Sequence, residues 1–106
     1  SIENFVGMTS TNAAKRYGIY PKKGILQVGS DADIVIFDPK KEWEVEKEKL
    51  FYKEKWTPYM DFRICGAVEA TIVRGIVVYE EHKILVEPGY GQFIYPLINQ
   101  EQGVDE

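Results

Sequence analysis

The sequence has 106 residues, 44% of them hydrophobic and 13% aromatic, enough for one modest core and at most one domain. Thirteen basic residues against seventeen acidic ones give a net charge of -4, with no basic stripe that could track a phosphate backbone, so nucleic acid is not an expected partner. No apolar run approaches the roughly 20 residues of a membrane-spanning helix, and no basic-then-apolar signal opens the chain. A membrane is not expected either.

Ser1, rather than Met, stands first, and the chain goes directly into an amphipathic segment, which suggests a processed or excised piece. Ser1 is placed to cap a short helix whose apolar face is Ile2, Phe5, Val6 and Met8. Residues 9–12 are expected to interrupt it. A second helical turn follows over 13–17, capped by Ser10 or Thr11 and ended by Gly18 in the left-handed conformation.

From Gly24 onward, glycine-bounded stretches of β-branched residues replace the helical spacing. Ile34, Val35, Ile36 and Phe37 form a continuous apolar run between aspartates, the pattern of a strand buried on both faces. Residues 42–46 alternate strictly, and 47–55 suit a helical turn or an ordered loop. Val68 to Val73 and Ile76 to Tyr79 flank Arg74-Gly75, which predicts a tight hairpin. A third strand over Ile84, Leu85 and Val86 is expected after the polar turn at 80–83, and 99–106 reads as a flexible tail. The expected fold is mainly β, mostly antiparallel, with short N-terminal helices.

The residues that could carry chemistry are few. His82 is the lone histidine and sits in a polar turn, where a solvated role is expected over a metal or acid–base one. Cys65, between apolar neighbours and alone, reads as a buried structural thiol and is compatible with a reducing, cytoplasmic setting. Asp31 and Asp33 would share one face of a strand and could bind a metal or share a proton, but their place before an apolar strand favours turn formation and bonds to backbone amides. Gly89-Tyr90-Gly91-Gln92 lacks the Lys-Ser/Thr of a phosphate loop and the third glycine of a dinucleotide fingerprint. Trp43, Trp56, Tyr52, Tyr59 and Phe62 could stack on a ligand, with core or interface packing as the ordinary explanation.

The stretch from Ser10-Thr11-Asn12-Ala13-Ala14-Lys15 through Tyr20-Pro21-Lys22-Lys23-Gly24 and Gly29-Ser30-Asp31-Ala32-Asp33 to Phe37-Asp38-Pro39 resembles the amidohydrolase superfamily. Within it the chain is similar to the cyclic amidohydrolases: dihydroorotase, allantoinase, hydantoinase and dihydropyrimidinase. Thr57-Pro58-Tyr59, Gly66, Thr71 to Gly75, Val77 to Tyr79 and Pro88 to Phe93 agree in order and spacing. Ala13 departs from the proline of many relatives.

The resemblance implies a parent with a (β/α)8 barrel and one or two divalent metals, zinc foremost, whose bound hydroxide opens a cyclic amide. Its metal-binding histidines, aspartate and carboxylated lysine have no counterpart here, so no catalytic, cofactor-binding or metal position is carried over. The resemblance further implies that residues 1–20 end the barrel, that 21–98 form part of an incomplete β-sandwich flanking it, and that the fragment alone is inactive. Expected partners are the missing barrel, N-terminal sandwich strands, further copies of the chain and, for the parent, a small cyclic amide. The alternatives are a catalytically dead scaffold relative and a stand-alone β interaction domain.

Overall fold

A computed structural model describes residues 1–96; the tail expected at 99–106 lies outside the described residues. The chain divides into two compact units, one of Ser1–Asp33, Val73–Gly75 and the residues from Glu87, the other of Ile34–Ile72 and Ile76–Val86.

In the first unit, Ser1 caps helix α1 (Ile2–Val6), its Oγ accepting from Asn4 N at 3.2 Å. The expected break at 9–12 is not there. The helix widens into a π-turn over Gly7–Thr11, with Asn12 N bonded to Gly7 O, and resumes as α2 (Asn12–Arg16). The threonines are accommodated because their hydroxyls find acceptors: Thr9 Oγ1 donates to Phe5 O at 2.8 Å, and Thr11 Oγ1 to Gly24 O at 2.7 Å. Thr11 stands at the N-cap position of α2, as one of the two expected residues, but makes no side-chain capping bond. Gly18, at φ 75°, ends α2 in a Schellman motif, Ile19 N reaching Ala14 O at 2.9 Å and Gly18 N reaching Lys15 O at 3.3 Å.

The second unit holds all but the last residue of β2 in an antiparallel meander of order β1 (Ile34–Glu44), β2 (Arg63–Val73), β3 (Ile76–Glu80), β4 (Lys83–Ile84). Arg74 and Gly75, both at positive φ, make the expected tight turn between β2 and β3, and Glu81 and His82 repeat that geometry between β3 and β4. The predicted third strand is thus shorter and begins one residue earlier, with Leu85 N still bonded to Val78 O at 2.8 Å. A single 3₁₀ turn, Lys47–Lys49, occupies the charged stretch after β1.

The β1–β2 register breaks twice. Glu69 is extra on β2, and then Pro39, Lys40 and Lys41 on β1 stand opposite Gly66 alone. Proline is tolerated there because β1 is an edge strand and the bulge needs no ladder donor. The displaced polar groups find partners: Lys40 N donates to Asp38 Oδ1 at 2.9 Å, Cys65 Sγ to Pro39 O at 3.4 Å, and Trp43 Nε1 to Gly66 O at 2.8 Å. Gly66 is required twice over, since its φ is 103° and a Cβ would lie 2.8 Å from Phe37 Cζ.

Ile34 to Phe37 is a strand, as expected, but not one buried on both faces: Val35 is 58% exposed and Ile36 and Phe37 are each 50% exposed. The run lies at the edge of a single-layer sheet, so the neighbours that its composition calls for are not among the described residues. The same holds for the helix face of Ile2, Phe5 and Met8, all well exposed. Only Ala14, Val45 and Ala70 make up the buried hydrophobic core of the described residues.

The Gly66 contact gives a direct test. Gly66→Ala should destabilise the folded protein by about 2–4 kcal/mol, the sum of a positive-φ cost and a clash with Phe37. Gly29, at φ 96° with open space where a Cβ would stand, is the control, and Gly29→Ala should cost only the backbone part, about 1–2 kcal/mol. Urea unfolding midpoints of the two variants read the difference.

Candidate functional site

The densest polar cluster lies in the first unit. Lys23 Nζ stands 2.9 Å from Asp31 Oδ2 and 2.5 Å from Asp33 Oδ2, and Lys22 Nζ lies 3.3 Å from Asp31. The loop before β1 is folded so as to bring them together: Asp31 N donates to Lys22 O at 2.9 Å and Ser30 Oγ to Pro21 O at 2.6 Å. Gly24 lets the loop approach the helix, since a Cβ there would meet Ala14 Cβ at 2.6 Å.

Asp33 also receives Arg74 N at 2.9 Å on Oδ1, while Gly75 N donates to Ala32 O at 3.0 Å. The sequence-based expectation that these aspartates serve turns and backbone amides therefore holds for Asp33. What sequence reasoning missed is the ammonium between them. The available signal was Lys22-Lys23 eight to ten residues ahead of an Asp-x-Asp pair, a spacing that means nothing until the loop closes.

The charges respond to each other. Close contact with the Lys23 ammonium, 2.9 Å from Oδ2, holds the Asp31 carboxyl below the ordinary range, with burial opposing and Lys22 assisting. For Asp33, burial pushes upward, but the bonds from Lys23 and from Arg74 N outweigh it, and its pKa is also lowered. Burial likewise pulls Lys23 down, and the bonds to Asp33 and Asp31 more than compensate, leaving its pKa raised. Asp31 Oδ2 is enclosed and is satisfied by the ammonium charge rather than by a well-directed hydrogen bond.

Such a cluster does not fit a divalent metal. Its two carboxylates face a fixed ammonium, which would repel a cation, and no imidazole or thiolate stands with them. No group of three or more His, Cys, Asp or Glu residues suited to a metal occurs among the described residues.

The remaining sequence candidates are dispersed. His82 is exposed, its Nδ1 3.4 Å from Tyr79 Oη, in keeping with a solvated turn. Cys65 corrects the expectation of a buried thiol: it is exposed, because the bulge turns it to the outer surface beside Pro39. Tyr90, from the glycine-flanked tetrapeptide, packs its ring under the Arg74 guanidinium at 4.4 Å, accepts from Arg74 Nη2 at 2.6 Å and donates from Oη to Val73 O at 2.8 Å. That loop is held as structure rather than as a phosphate cradle.

The aromatic centre does not converge either. Tyr59 and Phe62 pair edge to face at 5.6 Å, Trp56 is 68% exposed, and Trp43 lines a hollow of about 260 Å³ with Leu50, Phe51, Val68 and Tyr79. Two ammoniums at its rim, Lys41 and Lys49, are already paired with Glu69 at 3.3 Å and Glu46 at 3.2 Å. The hollow, which His82 also lines, is below the usual range of ligand pockets, about 300–1,000 Å³, and its lining is mainly apolar.

The sheet, the helix and, between them in sequence, the clasp that Lys23 makes with Asp31 and Asp33 match a known pattern. Residues 1–79 fit the model of the amidohydrolase family, and the chain belongs to that family. It is 43% identical over 94 residues to the L-hydantoinase of Paenarthrobacter aurescens, covering 89% of this chain and 20% of that protein. Dihydropyrimidinase 1 of Caenorhabditis elegans is 40% identical over 95 residues, covering 90% of this chain and 19% of that one. The solved L-hydantoinase (dihydropyrimidinase) from Arthrobacter aurescens superposes with a TM-score of 0.82 at 42% identity, over 90% of this chain and 21% of that chain. The chain thus spans about a fifth of the length of these relatives. No helix among the described residues is long and apolar enough to cross a membrane.

The clasp has a defined pH window. Asp31 and Asp33, with lowered pKa values, stabilise the fold fully above the ordinary carboxyl value of 3.8 and lose that contribution as pH falls through their lowered values. Lys23, with a raised pKa, contributes fully below its ordinary 10.5 and loses it as pH rises through the raised value. Carboxyl-carbon NMR titration should place both aspartates below 3.8, and Lys23→Met should move both upward. Unchanged titrations in that variant would remove Lys23 as the cause.

Proposed function

We propose that this chain is a noncatalytic, sheet-bearing segment of a metal-dependent hydrolase that opens cyclic amides of the hydantoin or dihydropyrimidine class. In this reading residues 1–20 belong to the end of the catalytic barrel and 21–98 to the β-sandwich beside it. The donors for one or two divalent ions, zinc foremost, lie elsewhere in the longer protein, as do the groups that recognise substrate. The chain's own task is packing: it presents the β1 edge and the helix face to barrel and strands outside it, and in the assembled enzyme to further copies. A cytoplasmic setting accords with the unpaired, exposed Cys65 thiol.

The observation that carries this reading is the pairing of a long, specific likeness to hydantoinases with apolar residues left open on a strand whose composition calls for burial, Val35, Ile36 and Phe37. Dihydroorotate and allantoin, also open on the sequence alone, become secondary candidates, because the relatives quoted act by name on hydantoin or dihydropyrimidine rings.

The test is hydrolysis. The longer protein containing this chain should open hydantoin or dihydrouracil, lose the activity to a chelator and regain it with zinc, while residues 1–106 alone should turn over neither. Turnover by the isolated chain would overturn the noncatalytic assignment, and a metal-free, inactive longer protein would point instead to a scaffold relative.

A further inference from the structure

Between Glu87 and Pro96 the chain has no regular secondary structure, and among the described residues it makes no backbone–backbone hydrogen bond outside strands and helices. Only Tyr90, Ile94 and Pro96 are half-buried there. Phe93 and Tyr95 are 79% and 70% exposed and meet edge to face, centroids 5.0 Å apart. Gly89 and Gly91, on either side of Tyr90, have open space where a side chain would stand.

Against this loose packing, Tyr90 is gripped three ways. The Arg74 guanidinium covers its ring at 4.4 Å, Arg74 Nη2 donates to its carbonyl at 2.6 Å, and its hydroxyl donates to Val73 O at 2.8 Å. Arg74 is itself fixed from the other side, its backbone N–H held by Asp33 in a left-handed turn at φ 47°. The grip is therefore mounted on the hairpin tip by the same carboxylate that Lys23 holds.

We propose that Arg74 and Tyr90 form a latch: the segment 87–96 is a strap whose polar fastening among the described residues is at Tyr90, and it is released as a piece when that point opens, with the sheet left intact. The glycines on either side allow the strap to swing once Tyr90 is free. The strap thus has its own opening equilibrium, separate from global unfolding, and Arg74 is its positioning residue.

In the longer protein, Arg74→Lys keeps the charge and the turn but loses the guanidinium's planar stack and its donor to Tyr90 O. Tyr90→Phe keeps the ring and loses only the bond to Val73 O. Chymotryptic cleavage after Phe93 or Tyr95 should quicken about tenfold in Arg74→Lys and several-fold in Tyr90→Phe, the scale of one charged and one neutral hydrogen bond. Hydrogen exchange in the Arg63–Val73 strand should stay as in the unsubstituted protein. Unchanged cleavage in both variants, or equal loss of protection in the strand, would overturn the latch.

Discussion

One ammonium group organises the first unit. Lys23 Nζ, on a side chain only 16% exposed, lies between Asp31 and Asp33, and the loop that carries all three must close for the arrangement to exist. Drawing three charges partly out of water is costly unless each meets an opposite charge or a directed donor. Here the compensation extends outward, from Lys23 to Asp33, from Asp33 to the Arg74 backbone, and from the Arg74 side chain to Tyr90. The loop before β1, the hairpin tip and the terminal segment are tied through that chain of contacts.

Apolar burial supplies less of the order than the composition promises. Ala14, Val45 and Ala70 are small, whereas Phe5, Phe37 and Trp56 are all at least half exposed. Ordering a residue costs about 1–2 kcal/mol of backbone entropy, and three small side chains do little to offset it. The proposed role in a larger hydrolase accounts for this: the large side chains are suited to surfaces that the rest of that protein would provide. The bulge opposite Gly66 serves the same end, since it breaks the β1 edge after Asp38 and confines the apolar stretch available for pairing to the start of the strand.

Local signals in the sequence were readable. The Ser1 cap, the Gly18 stop and the Arg74-Gly75 hairpin each depend on residues a few positions apart, and each is in place. The apolar run at Ile34 gave the strand correctly and its burial wrongly, because a run reports the neighbours it needs and not whether the same chain supplies them. Residues 9–12 read as a break, yet the helix runs on: threonine hydroxyls can compete with the backbone, and the acceptor that resolves this for Thr11 is Gly24 O, thirteen residues away. Cys65 and the Lys23 clasp were hidden for the same reason, one set by a bulge with Pro39 on another strand, the other by a closed loop. Likeness of motif carried the family, where no cluster of catalytic residues could.

The claim on which the functional account rests is that the β1 edge is a covered surface in the complete protein. Hydrogen exchange of peptides spanning Ile34–Asp38, compared between residues 1–106 alone and the longer protein, tests it most directly. The account predicts exchange slower by about a hundredfold or more in the longer protein, because an open edge becomes a paired and buried one. Equal exchange in the two would mean that nothing packs on this edge, and the role assigned to the chain would fall.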